Sequence, residues 1–171
     1  MIKYNLTEES SSLASKADEM VNFDWKRKNG YTSRSMHVGV LGEYAYGRYT
    51  DQESNLNVYS GGDGGVDFKK RQVNVKTRVI KQPYIPDLIL KEKELTKNVA
   101  QTYVFAMHLQ ETNEIILVGE ITRDSFLDRC TRWEHGSGDE FMVSMNELDK
   151  RYDNVTRQEI KNYSNETRRS S

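Results

Sequence analysis

The sequence predicts an α/β (α+β) protein with a mixed central β-sheet flanked by helices. Three observations carry this prediction. From Gln72 to Val79 polar and apolar residues alternate strictly, the period-two pattern of a strand with two different faces. Thr102 to His108 (Thr-Tyr-Val-Phe-Ala-Met-His) has the aromatic and β-branched content of a buried strand. His37 to Tyr49 places Val38, Leu41, Ala45 and Tyr49 near one face of a helix. At 171 residues, 36% apolar and 30% charged, the chain suits one domain with a single core and a wet surface.

In chain order, Thr7 to Phe23 reads as a helix capped by Thr7, with Glu8 and Glu9 near its positive end. Trp25 to Ser35 is basic and contains glycine, so it reads as a loop whose Lys26, Arg27, Lys28 and Arg34 are solvated or meet phosphates. The His37–Tyr49 helix keeps Gly39, Gly42 and Gly47, each unfavourable in a helix by roughly 1 kcal/mol. Such glycines imply that something packs very close to the helix. Asp51 to Asn57 is a polar connection leading to Ser60–Gly65, where four glycines surround Asp63 and call for a tight turn. A calcium nonapeptide reading of that loop fails because there is a single copy. A phosphate-cradling reading fails because a strand follows instead of Gly-Lys-Ser/Thr and a helix.

After the glycine loop, Val66-Asp67-Phe68 starts an extended run and Lys69-Lys70-Arg71 turns the chain. The alternation that follows puts Gln72, Asn74, Lys76 and Arg78 on one face of a strand, and Val73, Val75, Thr77 and Val79 on the other. A carboxylate, a carbonyl-bearing side chain and a lysine two residues on have the composition of a metal site with an ammonium beside it. Gln82 to Pro86 holds both prolines and is non-helical. Leu88–Leu90 is a short apolar run, and Lys91–Lys97 is charged. Asn113 turns the Thr102–His108 strand into a partner, Glu114–Gly119, and Thr122 caps a short helix reaching Cys130. Trp133–Gly138 is a loop in which His135 lacks the neighbours a zinc site needs. Phe141–Leu148 adds an edge segment. Residues 151–171 form a polar tail, loosely ordered or helical, after a single domain spanning residues 1–150.

Gly-Val-Asp-Phe, a short turn and Val-Asn-Val-Lys-Thr resemble the core hairpin of the PD-(D/E)XK nuclease superfamily. The stretch His37–Tyr49 is similar to that family's first core helix, with Glu43 in the expected place, and the resemblance covers roughly Met36 to Thr122. It implies a restriction-endonuclease-like core and a metal-dependent DNA endonuclease using Mg²⁺, with Mn²⁺ able to substitute. The implied catalytic residues are Glu43, Asp67, Asn74 and Lys76; the implied metal ligands are Glu43, Asp67, Asn74 and the Val75 carbonyl. Position 74 departs from the pattern, with Asn where the family has Asp or Glu. The alternative reading is a catalytically reduced nuclease fold that binds nucleic acid or a protein.

The net charge of −1 gives no global field for nucleic acid, but Lys69 to Lys81 contains six Lys/Arg and no acid. Lys69, Lys70, Arg71, Arg78 and Lys81 are therefore expected to hold a DNA backbone, with Tyr84 stacking on a base. DNA is the expected partner, and a homodimer is open. One cysteine, Cys130, leaves no disulfide partner and fits a reducing compartment. With no membrane-length apolar stretch or signal-peptide core, the expected location is the cytoplasm of a bacterial or phage-infected cell.

Overall fold

The computed structural model describes residues 1–21, 32–54, 66–69, 72–80, 85–97, 100–132 and 139–170. In chain order the elements are β1 (Ile2–Asn5), α1 (Ser10–Val21), α2 (Ser33–Thr50), β2 (Val73–Val79), β3 (Leu88–Lys91), α3 (Glu92–Lys97), β4 (Thr102–Leu109), β5 (Glu114–Thr122), α4 (Arg123–Arg129), β6 (Thr131–Arg132), β7 (Glu140–Val143), β8 (Lys150–Arg151) and α5 (Arg157–Ser170). The main sheet runs β1-β5-β4-β2, with β8 also on β5, and a smaller sheet runs β3-β7-β6. β2 lies parallel to β4, while β4–β5 and β1–β5 are antiparallel, so the central sheet is mixed as the sequence predicts. No helix among the described residues is long and apolar enough to cross a membrane.

The alternation of β4 sorts its side chains into two packed layers. Tyr103, Phe105, Met107 and Leu109 join Leu88, Leu90, Phe126 and Ile160 on one face. Val104 and Ala106 join Val73, Val75, Leu41, Ala45 and Tyr46 on the other. Odd-numbered residues of β2 thus face α2, and even-numbered ones face the layer carrying β3 and α3. Two helical glycines face close neighbours, Gly42 towards β2 and Gly47 towards the chain that leaves the helix. A Cβ on Gly42 would overlap the Thr77 hydroxyl of β2, and one on Gly47 would sit 2.6 Å from the Gln52 carbonyl oxygen. The helix seats on the strand because position 42 has no side chain.

Several boundaries move. α1 begins at Ser10 instead of Thr7, whose own N–H is taken by Asn5 Oδ1 at 3.0 Å. The expected loop through Ser35 ends earlier: Thr32 caps α2 in a reciprocal capping box with Ser35, so Ser33–Ser35 are helical. Both Thr122 and Asn113 act as expected. Thr122 Oγ1 accepts from the Ser125 N–H at 3.2 Å, and Asn113 adopts the left-handed conformation with φ 55°. The tail is helical and firmly held. Ile160 is fully buried, Ser164 is buried, and the Tyr163 hydroxyl lies 2.7 Å from Glu114 Oε2. Polar-looking residues thus complete the inward stripe of α5 that Val155 and Ile160 alone do not suggest.

His108, at the end of β4, is buried beside the α2 N-terminus and bonds Asn113 Oδ1 through Nε2 at 3.1 Å. Burial pushes its pKa below the ordinary histidine value, with His37 and Arg34 adding to the shift and Asn113 and Glu111 opposing it. A lowered histidine pKa means the unfolded chain binds the proton more readily. Stability is therefore intact above the unfolded value of about 6.5 and declines as pH falls below it. Urea midpoints between pH 7.5 and 5 should drop for the parent and drop less for His108→Gln; equal slopes would mean that this imidazole is not held neutral.

The seating of α2 gives a second expectation. Gly42→Ala gains helix propensity of roughly 1 kcal/mol, but the overlap with Thr77 should more than reverse this, for a net loss of about 1–2 kcal/mol. Gly39→Ala makes only an ordinary contact, 4.0 Å from Glu43 Oε1, and should stabilise. Urea denaturation of both variants checks the contrast, and a Gly42→Ala protein as stable as the parent would contradict the close approach.

Candidate functional site

The hairpin that the sequence predicts around residues 68–73 forms. Phe68 and Val73 bridge antiparallel, the Asp67 and Phe68 N–H groups both donate to the Val73 carbonyl at 2.8 and 3.1 Å, and Gln72 turns the chain with φ 50°. This puts Asp67 against the outer rim of β2. Its side chain is 5% exposed, and Oδ2 accepts the Val75 N–H at 2.5 Å. The carboxylate is thereby fixed one peptide from Asn74 and one from Lys76.

The even-numbered side chains of β2 do not face bulk water. Asn74 is buried and registers with Tyr103 of β4; Lys76 and Arg78 are half-buried. The Arg78 guanidinium donates to the Ile89 carbonyl of β3 at 2.8 Å, which ties two layers together and fits a structural clamp as well as a phosphate contact. Lys76 Nζ pairs with Glu94 Oε1 in the first turn of α3. Glu94 is anchored twice more, because Oε2 accepts the Lys91 N–H at 2.9 Å and the Tyr103 hydroxyl donates to the Glu94 carbonyl at 3.3 Å. Burial pushes the Glu94 carboxyl up, but Lys76 by charge and hydrogen bond, the Lys91 N–H and Arg78 outweigh it. The net pKa lies below the ordinary glutamate value.

Glu43 is half-buried on α2, one residue after the glycine that touches Thr77. It belongs to the layer on the odd face of β2, while Asn74, Lys76 and Glu94 belong to the even face, with Asp67 at the rim between them. Lys69 is exposed beside the hairpin. Lys70, Arg71, Lys81 and Tyr84, like His135 and the glycine loop at 61–65, lie outside the described residues. Glu94 is the residue that sequence reasoning missed. Within the charged run Lys91–Lys97 nothing distinguishes it from a solvated helix acid, and only the fold brings it onto Lys76.

Among the described residues no group of three or more His, Cys, Asp or Glu is arranged to hold a metal ion. What the fold brings together is the Asp67 carboxylate and the Val75 backbone at the rim of β2; Glu43 and Asn74 stand on opposite faces of that strand. Hard oxygen donors of this kind suit Mg²⁺ or Mn²⁺ and not a thiolate-seeking metal. The chain matches no family model, no curated protein and no solved structure.

An ammonium and a carboxylate that are each about one-fifth exposed should be strongly coupled. Lys76→Met, Glu94→Gln and the double variant should give a coupling of about 1–3 kcal/mol in a double-mutant cycle. The lowered Glu94 pKa fixes the sign with pH. The pair's contribution is present above the unfolded glutamate value of about 4.3 and is lost as pH falls through the lower folded value. Urea titrations of the four proteins at pH 7 and pH 3 check this; a coupling that does not shrink in acid would mean that the contact is not ionic.

Proposed function

We propose that the protein is a Mg²⁺-dependent endodeoxyribonuclease, a phosphodiester hydrolase of the kind its hairpin resembles, acting on DNA in a bacterial or phage-infected cell. The observation that carries this reading is the fixed Asp67 carboxylate beside the strand face bearing Asn74 and Lys76. Hydrolysis of a phosphodiester adds negative charge in the transition state and needs a hydroxide-like nucleophile at neutral pH. A bound divalent cation supplies charge neutralisation and an acidified water. Asp67 at the rim of β2, with the Val75 oxygen beside it, would hold the cation; the resemblance adds Glu43 and Asn74 as ligands, which stand on opposite faces of that strand. Lys76 would orient the attacking water and balance the developing charge at the phosphate oxygens. Lys69 and the neighbouring basic run would hold the DNA backbone.

A second reading, a reduced nuclease fold that binds nucleic acid or a partner protein, is favoured by the neutral Asn74 and by the ties of Lys76 to Glu94 and Arg78 to Ile89. The two readings part on one experiment. Plasmid, linear duplex, single-stranded DNA and RNA are incubated with the protein in Mg²⁺, Mn²⁺ or EDTA. The nuclease reading expects metal-dependent nicking or cleavage of a DNA form. It further expects a loss of about 10²-fold or more in Asp67→Asn. Asparagine is the informative change because it keeps an oxygen acceptor for the Val75 N–H while removing the charge. Metal-independent binding without any cleavage would favour the second reading, and an Asp67→Asn protein that cuts at the parent rate would remove Asp67 from the site.

A further inference from the structure

The start of α2 stands over the far end of the strands that carry the candidate site. The helix runs against β2: Gly42 meets Thr77, and a Cβ on Gly47 would lie 3.7 Å from Phe68 Cε1. Its first turns therefore lie over the Val79 end of β2, where His108 of β4 is the partner in register. Arg34 fits this placement, since its guanidinium donates to Gln110 Oε1 at 2.9 Å. His108 shares the even-numbered side of β4 with Val104 and Ala106, the side that packs on α2. Arg34 and His37 are one helical turn apart and stand on one face of α2. The charged groups acting on His108 are His37 and Arg34 from α2 and one acid, Glu111, from the turn after β4. Two of the three basic side chains carry a ring nitrogen with nothing to bond. His108 is 4% exposed; its Nε2 donates to Asn113 Oδ1 and its Nδ1 is buried without a partner. His37 Nε2 is also buried and without a partner. Buried polar atoms are ordinarily paired, so two such nitrogens beside a guanidinium bonded to a neutral amide call for a ligand.

The ligand must suit what these atoms offer. A guanidinium and the positive end of an 18-residue helix attract an anion. A buried imidazole whose Nε2 already donates has only a lone pair at Nδ1, and a lone pair needs a proton. A phosphate monoester meets both needs. It carries about −1.5 to −2 charge at pH 7, and its second pKa of about 6 lets it hold or release one proton near neutrality. One proton then serves the contact in either position: on Nδ1, donating to the dianion, or on the monoanion, donating to Nδ1. A sulfate or a phosphodiester brings the charge without that proton. We propose that Arg34, His37 and His108 form a second site, which takes a phosphate monoester group together with one proton. The site stands independently of the nuclease reading. It lies four strand residues, or roughly 13 Å, from the Val75 position at which Asp67 is held.

The test uses the full chain with Arg34→Gln, His37→Gln and His108→Gln, all in EDTA so that neither a metal nor cleavage takes part. Calorimetry measures binding of inorganic phosphate, a deoxynucleoside monophosphate, sulfate, and one oligonucleotide with a 5′-phosphate or a 5′-hydroxyl. Proton NMR follows the imidazoles, of which the chain has three. Phosphate should bind more tightly than sulfate, with an affinity that rises at least about tenfold from pH 8 to pH 6 as one proton is taken up. Saturation should shift the His37 and His108 ring signals. Arg34→Gln, an exposed change that leaves the urea midpoint in place, should weaken binding by about tenfold or more, the worth of a hydrogen bond to a charged group. His108→Gln should lose most of the rise with acid. Tighter binding of the 5′-phosphate than the 5′-hydroxyl oligonucleotide identifies a DNA end as the source of the group; equal binding of these two, with phosphate or the mononucleotide bound, identifies a small phosphate. The proposal is overturned if no phosphate form binds, if sulfate binds as tightly as phosphate, or if Arg34→Gln and His37→Gln bind as the parent does. None of these results bears on Asp67 or on cleavage in Mg²⁺.

Discussion

A strand covered on both faces but open along one side must find acceptors for its outward N–H groups, and β2 is in that position. Among the described residues β4 pairs with one side of it along its full length, and the other side meets only the short bridge at Phe68–Val73. The Asp67 carboxylate accepts the Val75 N–H beyond that bridge. A buried N–H left without a partner costs about 1–3 kcal/mol, so the strand and the acid depend on each other. The same contact has a chemical consequence: an anion used as an edge acceptor is held in one orientation and kept from water. The interaction that finishes the sheet edge also builds the most fixed group of the candidate site.

The even face of β2 shows a related constraint. An ammonium withdrawn from water needs a partner or loses its charge, and desolvation of an unpaired ion costs several kcal/mol. Lys76 meets this through Glu94, which in turn requires α3 to start at Glu92, directly after β3. The backbone of β3 accepts from Arg78, so one cation of β2 ties the small sheet to the main one. The layer over that face is therefore held by two kinds of force: apolar burial around Tyr103, Phe105 and Leu90, and charged side chains reaching back from the edge strand.

What was legible in the sequence follows from the range of the signal. The alternation of β2, the apolar run of β4, the Asn113 turn and the Thr122 cap are local chemistry, and each appears where its residues put it. The glycines of α2 pointed to a close neighbour, and Gly42 against Thr77 is that neighbour. β1 was not legible because Ile2–Asn5 is too short to show a pattern and becomes a strand only by pairing with β5, more than a hundred residues on. The tail reads as loosely ordered or helical, and over Arg157–Ser170 it is helical; its hold on the core was not legible because a tyrosine and a serine fill the inward face of α5, and their value depends on Glu114 and the β4–β5 layer. Within the site, Asp67, Asn74 and Lys76 were readable as one hairpin, whereas Glu94 was not, since a charged helical turn looks the same whether it meets solvent or a lysine.

The neutral residue at position 74 follows from the same geometry. Asn74 is 5% exposed and lies beside Lys76 on a face that already carries the Glu94 carboxylate. Without a cation, an aspartate there would bury a second anion next to one ammonium, and like charges in a shared low-dielectric site raise a pKa or destabilise the fold. An amide keeps an oxygen in place at no charge cost. One ammonium then balances one carboxylate on the even face, and Asp67 is steadied separately by a backbone N–H at the rim. The neutral Asn74 is thus consistent with the one carboxylate, Glu94 of α3, that meets Lys76.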